Sequence, residues 1–598
     1  MNGTWYGKHT DVEGAPLGGL AVIAPLLNRM GVAGIIDQHL PVDQQADFPH
    51  GTILSLLIAA RAHEPVALSN VSDWAKRTMA DLFFGMPLEK INDDRLGRSL
   101  DAFFDQRHSI LSSIALKVVE EFNVPLRDLH YDPTHVLFTG AYEQAQARDG
   151  AADVDAKGCI TATRSDSSLK PAHVTKGRAM DDAPNGSKMI HVGLSVHVDE
   201  YGPLPLFGHT IDGNQNGHTS VQEHLALMSK HLPTIKVALI SDRGTYSIGH
   251  LLRLEDAGCQ AIASAPWDEF RDLFDAHREK LKWQPASYLS IEQKSRRERA
   301  SELPLEHYDL AVLKHTLKDE KSDRTIGCRV LFVKSTADEK ATRKQRQKQI
   351  DRLTKELLKL QMSVASGRRN TDVNSVSKRV HRAYGASAAA KYFRWELIDL
   401  TPKEIKALPR PAKGCRPPTQ RFEFQFDKEL LAANEQYDGY NAIVTTVPLE
   451  QSSGDEIFTR FKQQTFSEQV NSHLKGPLAV RPVWLKSAKR IESLMFLLVI
   501  ALMLHYLIQR TYRASLALDG PFSDAPLPFS DSLIKEQRIT TQTLLGEFKN
   551  YTLLVERHGA GRSVSPTRLT PRQAEILRRL KLPTPSEQLR RLLPRAPE

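Results

Sequence analysis

Cysteine is scarce in this 598-residue chain: Cys159, Cys259, Cys328 and Cys415 stand far apart, with no CxxC pair. That excludes a disulfide scaffold and any recognisable zinc spacing, and it suits a reducing cytoplasm. The opening segment MNGTWYGKHTD has no apolar signal core. Long apolar runs are missing too. The one membrane candidate, LMFLLVIALML from Leu494 to Leu504, holds 11 unbroken apolar residues, short of the ~18 that argue for a span. It reads as a buried core helix. An apolar content of 41% with 34 glycines lies in the ordinary globular range and excludes a wholly disordered or collagenous chain.

Charge of one sign is also in short supply, except in one place. The whole chain carries +9. From Ala341 to Arg382, twelve basic residues face only Asp351, Glu356 and Asp372, so these 42 residues hold the entire excess. Inside the segment Ile350, Leu353, Leu357, Leu360 and Val364 step by 3 and 4, the seam of a helical hairpin. Such a segment suits either backbone phosphates, through a salt-sensitive and sequence-independent attraction, or self-association.

Five regions follow from texture. Residues 1–125 read as an all-α N-terminal domain, with apolar clusters at helical spacing and Asn92-Asp93-Asp94 as cap chemistry before RLGRSLDAFF. Residues 126–265 alternate as strand, strand, strand, helix, strand, helix, strand, an α/β core in which a hairpin precedes parallel crossovers. Within it, 141–190 reads as a long loop, and His209 and His218 as loop histidines. Residues 266–450 form an insertion with strand-like DLAVLKHTL, CRVLFVK and NAIVTTV and a basic helical hairpin near 338–390. Residues 451–512 supply a helix over about 457–475 and the apolar helix. Residues 513–598 form a small subdomain with a basic tail.

Two aspartates carry the chemistry. Asp132 lies in the first core strand, and Asp242 closes the apolar run VALIS. Ligands of open α/β sheets gather at the carboxyl ends of parallel strands, which suits carboxylates that hold a metal. Each alone reads equally as structural; Asp242 in particular could cap the next helix. A third acid, Glu468, falls on a stripe with Phe461, Gln464, Ser472 and Lys475, spaced 3, 4, 4 and 3. That stripe is either a solvated face or a helix presenting one metal ligand among phosphate contacts. Asp132-Pro133-Thr134 also admits a phosphohydrolase nucleophile, although Thr134 replaces the second acid that such chemistry needs.

These residues resemble the DDE transposases of bacterial insertion sequences, in the group with a ribonuclease H-like core and a long insertion before the catalytic glutamate helix. YDPTHVLF is similar to the first-strand motif, ISDRGTYS to the second, and Asn185-Gly-Ser-Lys188 to the segment before strand two. Phe461, Gln464, Glu468 and Lys475 stand where the group has Tyr, Arg, Glu and Lys. Phe461 and Gln464 depart from it, removing a hydroxyl and a cationic fork. The resemblance implies a mixed sheet of ribonuclease H type, interrupted by the insertion. It implies Mg²⁺ or Mn²⁺, as two ions, on Asp132, Asp242 and Glu468. Arg243, Lys462, Gln464, Lys475 and Arg481 become the DNA contacts, and a homodimer on two element ends the working form. The alternative is a transposase-derived DNA-binding protein that no longer reacts.

Overall fold

The computed structural model describes residues 12–41, 47–138, 153–154, 160–162, 170–177, 187–215, 217–290, 293, 307–366, 372–385, 387–409, 417–476, 485–520, 539–558 and 561–592. It is a mixed α/β molecule built on one ten-stranded mixed sheet. Strands β1 (Asp128–Phe138), β2 (Lys188–Asp199) and β3 (Gly202–Asp212) form an antiparallel meander. Helix α5 (Gly217–His231) then crosses to β4 (Ala238–Ser241), and α6 (Ile248–Asp256) to β5 (Gln260–Ala265). Both β1–β4 and β4–β5 pair in parallel, so the strands lie in the order β3-β2-β1-β4-β5. The loop expected over 141–190 lies largely outside the described residues, but β2 already begins at Lys188.

The insertion continues the sheet. Strands β6 (Tyr308–Lys318), β7 (Thr325–Ser335) and β8 (Tyr440–Thr445) coincide with the three strand-like segments. They add to β5 in the order β5-β8-β7-β6, all antiparallel. The edge of β5 would otherwise present unpaired backbone groups. Between β7 and β8 the chain leaves the sheet as α7 (Thr336–Ala365) and α8 (Val373–Gly385), capped by the hairpin Phe393–Asp399/Gln420–Phe426. Ile350, Leu353, Leu357, Leu360 and Val364 are the buried residues of α7. They pack on Val376, Val380, Tyr392 and Phe422 in a core of their own. The seam is therefore covered by the same chain.

The head comprises α1 (Leu20–Arg29), α2 (Val32–His39), α3 (His50–His63), the short helices Val71–Thr78 and Ala80–Phe84, and α4 (Asp93–Glu121). The expected cap is present: the Asn92 side chain accepts from Arg95 N at 2.9 Å. The helix it opens runs 29 residues, well beyond the segment RLGRSLDAFF. Nor is the head closed on itself. Val12–Pro16 pairs with Thr552–His558, which pairs with Gly561–Pro566, so head and tail share a three-stranded sheet. One continuous apolar core joins Leu17 to Leu589.

Helix α11 (Ala488–Asp519) explains this joining. It is 32 residues long and apolar on all sides over its middle, so it must be covered all round. The 11-residue run understated it, because Tyr506, Gln509 and Arg510 continue the same buried rod. Among the described residues α11 is the one single helix long and apolar enough to cross a membrane, and 94% of its apolar window is buried inside the protein. Helices α1 and α2, bent by 48°, pass the same test as a pair. On α4, Arg107 (0% exposed) donates from Nε to Glu492 (1%) of α11 at 2.7 Å, and Glu492 also accepts Ala172 N at 2.6 Å.

Candidate active site

The middle of β1, where its parallel pairing with β4 ends, and the carboxyl end of β4 place the first two acids. The parallel register pairs Tyr131 with Ser241, and the next residues are Asp132 and Asp242. Side chains alternate faces along a strand. Accordingly Tyr131 reaches Ser220 of α5, while Asp132 meets Asn471 of α10 (Thr465–Lys475). Asn471 Nδ2 donates to Asp132 Oδ2 at 2.9 Å and lies 3.4 Å from its carbonyl oxygen. The Tyr131 ring passes over β2 at Gly193, where an added Cβ would stand 2.6 Å from both Tyr131 Oη and His209 Cε1.

Asp242 does precede a short helical turn, Arg243–Thr245, but its side chain takes no cap hydrogen bond from that turn. Thr245 Oγ1 donates to the Asp242 carbonyl at 3.0 Å and to Oδ1 at 3.3 Å. The carboxylate is thus held by a hydroxyl and is not spent on capping.

Glu468 stands in the first turn of α10 and is exposed, as is Ser472. Burial pushes the Asp132 carboxyl up to about 7, and the negative charges of Asp242 and Glu468 push the same way. Asn471 and the cation of Lys475 oppose them. All three acids therefore act on one small region, as do two neighbours on α10. Asn471 was not anticipated; its only signal in the sequence is that it stands three residues beyond Glu468, on the same helical face.

Two expectations about the stripe need correction. The chain is not one helix over 457–475: α9 (Gly454–Lys462) ends at Gln463, and α10 begins after Gln464. Phe461 and Glu468 therefore do not share one continuous face. Phe461 packs into the apolar cluster around Ile240, Ile443 and Phe458, which draws α9 onto the sheet. Gln464 is the N-cap residue of α10, with no side-chain cap bond. Lys462 Nζ lies over the Tyr308 ring at 4.6 Å, Arg243 is exposed beside Asp242, and Arg481 lies outside the described residues. His209 is no loop residue. It is buried in β3, 3.0 Å from His224 Nδ1, and His224 in turn meets Ser195 Oγ at 2.6 Å. His218 opens α5.

The donors have the chemistry of a hard-cation site. Asp132, Asp242 and Glu468 offer only oxygen, as Mg²⁺ and Mn²⁺ prefer. Asn471 Oδ1, buried beside Asp132, has no hydrogen-bond partner among the described residues and adds a fourth oxygen. No three His, Cys, Asp or Glu side chains among the described residues are gathered into a ligating group. Cys259 and Cys328 are free thiols.

Comparison with known proteins concerns the head alone. No curated protein matches the chain. Residues 14–116, from the first strand into α4, are similar to the family described as a domain of unknown function, DUF4277.

Proposed function

We propose that the chain is a DDE-type DNA transposase, a polynucleotidyl transferase that cuts and joins the ends of an insertion sequence. The observation that carries this reading is Asp132 on β1 and Asp242 one residue past the parallel strand β4, next to the paired Tyr131 and Ser241, with Glu468 bearing on Asp132 from α10, which packs over β1. The strand order β3-β2-β1-β4-β5, with only β1, β4 and β5 parallel, supports a ribonuclease H-like core. So does the placing of the insertion between β5 and the glutamate helix.

Asp132, Asp242 and Glu468 would hold Mg²⁺ or Mn²⁺, with Asn471 Oδ1 at hand. Bound there, the ion would supply Lewis-acid activation of a water or 3′-hydroxyl and charge stabilisation of the leaving oxygen. The protein's own part is positioning. Asn471 orients Asp132, Thr245 orients Asp242, and Lys475 supplies positive charge beside them. Arg243 is free to meet a phosphate at the mouth. The partners are double-stranded terminal repeats and target DNA, bound by a homodimer of a cytoplasmic protein working at the nucleoid.

A second reading, a DNA-binding protein without catalysis, draws on the break at Gln463-Gln464 and on Phe461 turned into an apolar cluster. Incubation of the protein with a duplex carrying the ends of its encoding element, with and without Mg²⁺, separates the two. Transposition predicts Mg²⁺-dependent nicks at the element ends that Glu468→Gln abolishes. Equal cleavage by both proteins contradicts the assignment, and salt-sensitive binding with no nick in Mg²⁺ or Mn²⁺ favours the second reading.

A further inference from the structure

The seven cations of the +9 segment that lie on α7 separate into two sets with different work. Arg346 is paired with Asp438 and reaches Glu435 at 3.4 Å, and Arg343 pairs with Glu339 at 2.9 Å. The pairs to Glu435 and Asp438 tie the root of α7 to the turn that precedes β8, and Arg343–Glu339 lies within α7 itself. Further along, Lys344, Lys348, Arg352, Lys355 and Lys359 step by 4, 4, 3 and 4 and are all exposed. At 3.6 residues per turn they fall within an arc of about 80°, on a ribbon roughly 22 Å long. The buried seam lies on the far side of the helix, about 160° away. Among the described residues Lys344, Lys348, Arg352 and Lys355 have no carboxylate within 4.0 Å, while Lys359 reaches back to Glu356 at 2.8 Å.

We infer that this ribbon is a docking surface for the phosphate backbone of duplex DNA, an inference that rests on the transposase reading for the identity of its partner. Alongside a row of this length, about 22 Å of duplex axis carries roughly six phosphates of each strand at ~3.4 Å of axial rise, and the row meets those that turn toward it. Four of its five cations are lysines, hydrated point charges without the planar fork that reads guanine, so the row follows the backbone and carries no sequence information. An anionic membrane is the poorer partner. A surface-lying helix needs a broad apolar face outward, and here that face is spent on the seam, leaving only Leu358 and Met362 exposed.

The test uses the full chain with Lys344→Gln, Lys348→Gln and Lys355→Gln combined. Lys280→Gln, Lys321→Gln and Lys403→Gln, also exposed, make a control of equal charge. Anisotropy of a labelled duplex of arbitrary sequence is followed from 50 to 300 mM salt without divalent cations, so that no cleavage is required. The ribbon variant should weaken binding at least about tenfold at 0.1 M salt and flatten the slope of log K against log salt by about 2 to 3. The control should leave the slope unchanged. Equal slopes for wild type and ribbon variant, no duplex binding at all, or loss of binding only to vesicles rich in anionic lipid would each overturn the inference. Cleavage by the wild type in Mg²⁺ is scored separately, so ribbon-dependent binding without cleavage would sink the catalytic reading and leave the docking surface standing.

Discussion

Asp132 is the most strained ionisable group of the site. Its carboxyl is held near 7 by burial and by two like charges, against about 3.9 in an unfolded chain. Between pH 4 and 7 the native state keeps a proton that the unfolded state has released, so this group lowers stability as pH rises through that window. Asp132→Asn removes the penalty while its amide oxygen can still accept from Asn471. Without divalent cations, thermal unfolding should show the variant more stable than wild type at pH 8, by on the order of 1–3 kcal/mol. The gap should close at pH 4; a gap independent of pH would contradict the account. Gly193→Ala tests the neighbouring close approach. A methyl 2.6 Å from Tyr131 Oη should destabilise by about 1–3 kcal/mol in denaturant titration, and a neutral effect would mean that Tyr131 does not cross there. The two aspartates were legible in the sequence because each interrupts or ends an apolar strand pattern. Asn471 was not, since nothing in QVNSH separates a residue aimed at a carboxylate from one aimed at water.

At the scale of elements, periodicity served where a helix buries one face and failed where contacts distant in sequence decide. The α7 seam reads directly from its 3 and 4 spacing and is buried as expected. Leu357→Ala, 1% exposed in wild type, should cost about 2–5 kcal/mol. Hydrogen exchange should accelerate in α7 and α8 while β1–β5 stay protected. The turn at Gln463-Gln464 was illegible because glutamine is a good helix former. The chain bends there because Phe461 belongs to the cluster under α9, whereas Val470 and Leu474 belong to the main core. Helix α11 is tied to the head by a fully buried ion pair. Arg107→Met leaves Glu492 charged without its partner and should cost about 3–5 kcal/mol in equilibrium unfolding. An effect below 1 kcal/mol would mean that the pair is not formed.

For the molecule as a whole, the alternation of strands and helices suggested an α/β core, but the joining of head to tail gave no local sign. Val12–Pro16 and Thr552–His558 lie more than 500 residues apart, and pairing across such a distance leaves no periodicity to read. The same holds for β6, β7 and β8, legible as strands but not as extensions of the core sheet. The proposed site draws on three acids, from β1, the end of β4 and α10, and the central claim is that they act as one unit. Residues that act as a unit are not additive. The direct measurement is the Mg²⁺-dependent cleavage rate on element-end DNA for Asp132→Asn, Asp242→Asn, Glu468→Gln and the double variant Asp132→Asn/Glu468→Gln. Each single variant should lose about a thousandfold or more in rate, and the double variant should be no slower than the singles. A single variant that keeps wild-type cleavage, or losses that multiply in the double variant, would contradict the claim.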